Sequence, residues 1–406
     1  MFGEIVNALT FQSGYNATLV TLGAAMFGVA AGAAGTFLYF RKRALVSDAI
    51  AHATLPGVGI AFLVMVALGG DGRNLIVLLI GSAVSATLGL LTVDWIVRRT
   101  VLSEDAAIGA VLSVFFGIGV VLLTVIQTLS TGRQAGLEGF LLGSTAGMLF
   151  SDAVVIALGG ALAIAVLLVL RRAMSIVSFD PEYAEATGIN VQRIDVIMMM
   201  LVMAVTVIGL KLVGLILVVA LLIIPPVCAR FWVERTEHVV LIAAAVGGLS
   251  GYVGSALSAS APHLPTGPII VLVCFALFSV SLLFAPNRGV VAALIRRRRF
   301  QVRVHKRQGL LALARGEPIF EPFTIKLLCR EGFMRKDGVA TEAGASLAAK
   351  MLRDEKRWEI ARQLHQEEAV IANYDALTPI EDVLTVDEIA EIDRRLGGPF
   401  LVAGGI

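Results

Sequence analysis

Nine nearly uninterrupted apolar stretches of about 17–24 residues run through the first 285 positions of this chain, and they leave it few ways to fold. A helix needs about 20 apolar residues to cross the ~30 Å of bilayer hydrocarbon. A helix also satisfies its own backbone polar groups there, which an open sheet cannot do. The composition agrees: 57% of the 406 residues are hydrophobic and 16% charged, with a mean hydropathy of +0.85. Ordinary soluble domains carry far more charge. The expected fold is therefore all-α, a polytopic transmembrane helical bundle.

The stretches fall at about 17–40, 47–68, 74–97, 105–128, 149–170, 194–210, 212–230, 237–259 and 267–285. Only GLKLVG separates the sixth from the seventh, so one long kinked helix, and eight spans in all, is the alternative. Basic residues decide between them. Arg41 to Arg43, Arg98–Arg99, Arg171–Arg172, Arg230 with Arg235, and Arg296 to Arg299 follow the first, third, fifth, seventh and last stretches. Nine spans put every basic loop on one side, which the positive-inside rule makes the cytoplasm. The N-terminus then lies outside and the rest of the chain, 289–406, inside. Gly28, Gly32 and Thr36 have the small-xxx-small spacing that lets helices approach closely. The three cysteines are far apart and suggest no disulfide framework, and no basic leader segment precedes the first span.

Within the second span, Asp48 and His52 lie four residues apart and share a helical face. Ionisable residues in a membrane segment are costly, so they tend to mark pathways or sites. A carboxylate with an imidazole suits a divalent transition metal. Two readings stand: a stepping point for a partly desolvated cation, or a structural pair in which Asp48 bonds His52 or Arg43. Pro56, one turn beyond His52, removes a backbone donor and could shape a cavity by kinking the helix.

Between the fifth and sixth spans, SFDPEYAEATGIN reads as a short capped helix. Asp180 and Pro181 start it, Glu182 fits its first turn and Gly188 stops it. Glu104 and Asp105 follow Ser103 as N-terminal charges of the fourth span. Asp94 suits a pair with Arg98. The 128–148 loop, with Arg133 and Glu138, could gate the outer side or dock a protein. Lys211 and His263 lie on that side as well. The segment after 288 changes character: from Arg296 onward it has 19 Lys and Arg against 17 Asp and Glu. With no net basic surface beyond the arginine run, a nucleic-acid partner is not expected, and Arg296 to Arg299 suit anionic lipid headgroups. Leu327, Leu328 and Phe333 suit the buried side of a helix and turn. Thr341 and Gly344 open a helix to about Leu364, and 379–397 holds a last one. His305 and His365 offer only weak metal ligands.

Several blocks together resemble one family. SDAIAHATLPGVGIAFL, LSEDAAIGAVLSVFFGIGVVLL, SFDPEYAEATGIN, GLKLVGLILVVALLIIPPVCAR and LPTGPIIVL are similar, in order, to the membrane subunits of ATP-binding-cassette importers for manganese, zinc and iron. Two departures are the ATL after His52 and the doubled Pro225–Pro226, where one proline is usual. The resemblance implies a permease for a divalent metal, manganese first, then zinc or iron. It implies two separate ATPase subunits, an extracellular metal-binding lipoprotein and a second permease, identical or related, in the bacterial cytoplasmic membrane. This chain would be no enzyme and would bind no cofactor, and no phosphate-binding GxxxxGK[ST] motif occurs in it. Asp48 and His52 become metal ligands; Asp180, Pro181, Glu182, Tyr183, Ala186 and Gly188 become the helix that couples to the ATPase. The last 110 residues resemble, through TEAG and RDEKRWE, the winged-helix regulators of the diphtheria-toxin-repressor type. Competing readings are a permease for iron chelates or cobalamin, which leaves Asp48 and His52 without purpose, and a stand-alone secondary metal transporter, which calls for internal repeats that are not evident.

Overall fold

The computed structural model describes residues 2–12, 14–70, 72, 74–128, 150–261, 264–364 and 377–396. The chain divides into two compact units, Met1–Ala292 and Ala293–Ile406. The first is entirely helical among its described residues. It comprises α1 (Phe2–Leu9), α2 (Tyr15–Phe40), α3 (Ala44–Ala67), α4 (Leu75–Arg99), α5 (Glu104–Thr128), α6 (Phe150–Phe179), α7 (Pro181–Ala186), α8 (Val191–Trp232), α9 (Thr236–Ala259) and α10 (Thr266–Phe284). Among the described residues, eight helices are long and apolar enough to span a bilayer, the sixth of them being Val191–Leu210 within α8; Leu217–Trp232 is a shorter apolar helix.

The junction that the sequence left open is a reversal. Gly214 holds φ 75°, ψ 169° inside α8, a conformation essentially reserved for glycine. Three contacts give the directions of the two arms along α2. Asp195 pairs with Arg41 just past the end of α2. Gly209 lies against Phe27, in the middle of α2, and against Val218 of the returning arm. Leu222 then meets Gly35, back near the Arg41 end of α2. The chain climbs beside α2, turns at Gly214 and descends.

At the centre α2 packs on α9 through backbone rather than side chains. A β-carbon on Gly28 would collide with the carbonyl of Gly247, and one on Gly247 with that of Gly28; Gly32 meets Ala243 in the same way. Thr36 completes the small-residue row, fully buried, with its hydroxyl donating to the Gly32 carbonyl at 2.9 Å. Such contact favours association where the surrounding lipid removes the hydrophobic drive between helices. At the far end α1, an element the sequence reading omitted, is tied down by the Tyr252 hydroxyl, which donates to the Leu9 carbonyl.

Two expected boundaries shift. The fifth span was placed at 149–170, but α6 continues to Phe179, because no glycine or proline interrupts the chain before Pro181 and because Met174 and Val177 are buried. Arg171 and Arg172 thus ride on a helix rather than in a loop. Helix α3 stays continuous through Pro56.

The second unit holds most of α11 (Val290–Arg315), then α12 (Pro322–Arg330), α13 (Glu342–Leu364), a short 3-10 turn at Ile380–Asp382 and α14 (Val386–Arg395). Leu327 and Leu328 are buried as the sequence suggests. The Thr341 hydroxyl accepts from the Gly344 amide at 3.1 Å and so caps α13. An isolated bridge joins Met334 to Ala340. Arg357 on α13 donates twice to Asp393 on α14, at 2.7 and 2.5 Å. That hydrogen bonding holds the Asp393 carboxyl below the usual carboxylate range.

Replacing Gly28 with Ala forces α2 and α9 apart and lowers stability by about 1–3 kcal/mol, the range for overpacking. Gly109→Ala, where a β-carbon meets nothing within 4 Å, is neutral or slightly stabilising by the helix propensity of alanine. Thermal unfolding of the two purified variants in detergent separates these outcomes.

Candidate functional site

Arg41 and Arg43, which follow the first span, draw several helix ends of the bundle together. Arg41, just past α2, donates to the Val177 carbonyl near the end of α6 at 3.0 Å and forms an ion pair with the Asp195 carboxylate at 2.9 Å. Arg43, the residue preceding α3, reaches Asp195 at 2.8 Å and Glu104, the first residue of α5, at 2.7 Å. Two cations and two anions thus link the ends of α2, α3, α5, α6 and α8. All four side chains are partly shielded, from 16% exposure at Arg41 to 36% at Glu104. A cavity of about 300 Å³ opens beside them, lined by Met199, Met200 and Met203 among others. Nearby, Asp94 and Arg98 form the expected surface pair at 2.8 Å. The sequence reading missed Asp195, although an acidic residue in the first turns of a span, facing a basic loop, is a usable signal.

This cluster also settles which partner Asp48 has. Arg43 is engaged elsewhere, and Asp48 meets His52 instead, with Oδ1 to Nε2 at 3.5 Å. The pair is one to two turns into α3, roughly 6–12 Å from its start at 1.5 Å per residue. Asp48 is 37% and His52 20% exposed. The imidazole stands edge-on to Phe116 of α5, with centroids 5.0 Å apart. Its Nδ1 is buried without a hydrogen-bond partner. A buried, unsatisfied ring nitrogen is an energetic liability in a purely structural pair. Leu45, at the start of the same helix, is 52% exposed, whereas residues 53–59 are all buried, so the pair lies where the exposed start of α3 passes into its buried middle. No group of three or more His, Cys, Asp or Glu side chains able to hold a metal occurs among the described residues.

Helix α7 forms as its residues dictate. Asp180 accepts from the Tyr183 amide at 2.9 Å, and Pro181 occupies the first turn, where its missing amide costs nothing. Gly188, at φ 83°, ends it with the Ile189 amide donating to the Ala184 carbonyl at 2.9 Å. Asn190 then caps α8 through the Arg193 amide. Ala184 is buried, whereas Pro181, Glu182, Tyr183 and Ala186 are exposed. A rigid, doubly capped helix therefore presents one free face. Arg133, Glu138, His263, His365 and the side chain of Lys211 lie outside the described residues. His305 hydrogen-bonds Thr324 at 2.9 Å and belongs to the second unit's own packing.

Residues 15–285 match the model of the ABC 3 transport family. The chain belongs to that family. Among similar proteins, the manganese transport system membrane protein MntC of Bacillus subtilis is 38% identical over 314 residues, covering 77% of this chain and 70% of that one. The zinc transport system membrane protein TroC of Treponema pallidum is 37% identical over 288 residues, covering 71% and 95%. Among solved structures, PsaBC of Streptococcus pneumoniae in complex with Fab superposes with a TM-score of 0.61 at 27% identity, over 71% of this chain and 98% of that one. The family match covers the helical bundle with the Asp48–His52 pair, the charge cluster and α7, and stops at 285, before α11.

Asp195→Ala leaves Arg41 and Arg43 half-buried beside a single remaining carboxylate. The expected loss is about 2 kcal/mol, between the values for exposed and fully buried pairs. The double variant Arg43→Met/Asp195→Leu recovers part of it, which a double-mutant cycle on thermal unfolding measures.

Proposed function

We infer that this chain is the membrane permease of an ATP-driven divalent-metal importer, with Mn²⁺ the first candidate for the transported ion, Zn²⁺ the second and Fe²⁺ the third. Family membership and the manganese and zinc relatives support the class. The observation that carries the mechanism is the Asp48–His52 pair: a carboxylate and a half-satisfied imidazole, both partly exposed, near the start of an otherwise apolar helix. Ionisable groups turned to lipid are costly. A second permease, identical or related, facing the start of α3 would cover them and bring a second Asp–His pair. Together the two pairs give a cation leaving water enough donors to cross, which two ligands alone do not. Because the ion must also leave, the site holds it weakly. The basic end lies in the cytoplasm by the positive-inside rule, so Asp48 and His52 stand near the inner end of the pathway.

ATP hydrolysis belongs to two partner subunits, and this chain breaks no bond. The exposed face of Pro181, Glu182, Tyr183 and Ala186, with Asp180 and Gly188 fixing its ends, is the contact through which ATPase closure enters the membrane unit. Val177, three residues before Asp180, is held by Arg41. A displacement of α7 therefore reaches Asp195 and Arg43, and through Arg43 the start of the metal-bearing helix. An extracellular lipoprotein delivers the ion at the opposite end. The second unit, with its likeness to winged-helix regulators, serves as a regulatory or ATPase-packing domain.

Cells carrying Asp48→Ala or His52→Ala, with membrane expression unchanged, take up manganese or zinc at least about tenfold more slowly, the low end of what loss of a metal-site group costs. Normal uptake in both variants would sink the pathway. Separately, Tyr183→Asp on the free face of α7 leaves the chain folded but abolishes co-purification with the ATPase. Retained ATPase at wild-type yield would dismiss α7 as the contact.

A further inference from the structure

A second feature of the bundle has no place in moving the ion. Between α2, α6 and α9 lies a cavity of about 670 Å³, apolar along its length and basic at one end. Val29, Ala33 and Phe37 of α2 form its floor, and Ile164, Leu168 and Leu241 belong to its walls. From Ile164 to Arg171 the wall on α6 rises about 10 Å, within the ~15 Å depth of one hydrocarbon leaflet, and Ser175 and Ile176 line it beyond the arginines. The mouth carries Arg171, Arg172 and His238. It lies at the end of the bundle where the ion-pair cluster gathers, since Val177, farther along the same helix, bonds Arg41.

The charges at the mouth are not used up within the chain. Arg171 makes only a long contact with Glu237, 3.5 Å. Arg172 and His238 have no hydrogen bond or ion pair among the described residues, and both are exposed. Arginine, with its planar fork of donors, is the side chain best suited to a phosphate group. Glu237 offsets part of Arg171, which tunes the mouth to a singly charged phosphodiester rather than a multiply charged headgroup.

We propose that this groove is a binding site for one anionic phospholipid of the cytoplasmic leaflet, its phosphate on Arg171, Arg172 and His238 and an acyl chain along Val29, Ala33, Ile164, Leu168 and Leu241. An apolar channel leading up to an unpaired Arg172 and a loosely paired Arg171 matches both halves of such a lipid. A soluble anion would leave the channel empty. The site is independent of which metal the permease carries, and rests only on the placement of the basic end at the cytoplasmic side. Bound there, the lipid wedges the peripheral α6 against α2 and α9, and so braces the helix that leads into α7.

The full-length chain is reconstituted in phosphatidylcholine vesicles doped with either phosphatidylglycerol or phosphatidylcholine bearing a photoreactive acyl chain, and the labelled peptides are mapped. Phosphatidylglycerol labels the α6 and α9 peptides around Leu168 and Leu241, and phosphatidylcholine does so roughly 25-fold less, as two cationic contacts at a bilayer surface imply. Arg171→Gln/Arg172→Gln brings phosphatidylglycerol labelling down to the phosphatidylcholine level, while Arg171→Lys/Arg172→Lys retains most of it. Leu168→Trp fills the groove and removes the labelling with the arginines intact. Phosphatidylglycerol labelling near Arg296 to Arg299 is the same in every variant, which separates this site from general attraction to that run. Equal labelling by the two lipids, or undiminished labelling of the Gln and Trp variants, would overturn the proposal. So would a disulfide between two copies carrying Leu168→Cys, which would give the groove to a second chain.

Discussion

Everything at one end of the helical bundle hangs on how two arginines and two carboxylates neutralise one another. Arg41, Arg43, Glu104 and Asp195 carry no net charge as a group, and their contacts join five helix ends. Lipid-embedded helices have little hydrophobic reason to prefer one packing over another. Directional ion pairs at the ends, and glycine-mediated backbone contact in the middle, therefore set the arrangement. With Arg43 committed to Asp195 and Glu104, Asp48 is left to His52, and the pair stays available to an ion. The electrostatics of the loops and the chemistry of the site are one problem solved once.

How much of this was legible beforehand depends on the physical range of each signal. Long apolar runs and alternating basic loops act locally and additively, so the spans could be located, and the direction of the arm after Gly214 agrees with the alternation. Caps are local too: Asp180, Pro181 and Gly188 announced α7 because each satisfies or terminates the backbone of its immediate neighbours. Gly28 and Gly32 were visible as a pattern, but their partners Gly247 and Ala243 were not, since a helix face says nothing about which other helix it meets. Asp195 escaped notice for the same reason. Its role exists only when residues 41, 43 and 104 converge on it. The overlong α6 was misread because Arg171 and Arg172 look like the end of a span, whereas a helix continues wherever nothing breaks it.

The Asp48–His52 pair illustrates a half-built site. Four residues of spacing sufficed to place both side chains on one face, and the 3.5 Å separation follows from helix geometry. Their exposure could not be read from the pattern, because it is decided by what α5 covers and what it leaves open. Phe116 shields the imidazole on one side without offering a hydrogen bond. The chain by itself thus holds the two side chains together but leaves both partly open.

The glycine turn inside α8 also fixes a question of handedness for the rest of the membrane unit. Were Gly214 unable to hold its positive φ, the two arms would merge into one straight rod of 42 residues, about 63 Å long and twice the thickness of the hydrocarbon. Every crossing after it would then change sign. Arg235 and Arg288 would emerge on the face opposite Arg41; the salt bridge from Arg171 to Glu237 would be parted across the membrane, while that from Arg288 to Glu234 would move to the far side intact. One residue without a side chain thus acts as the parity bit of the topology, keeping both halves of the bundle upright with respect to each other.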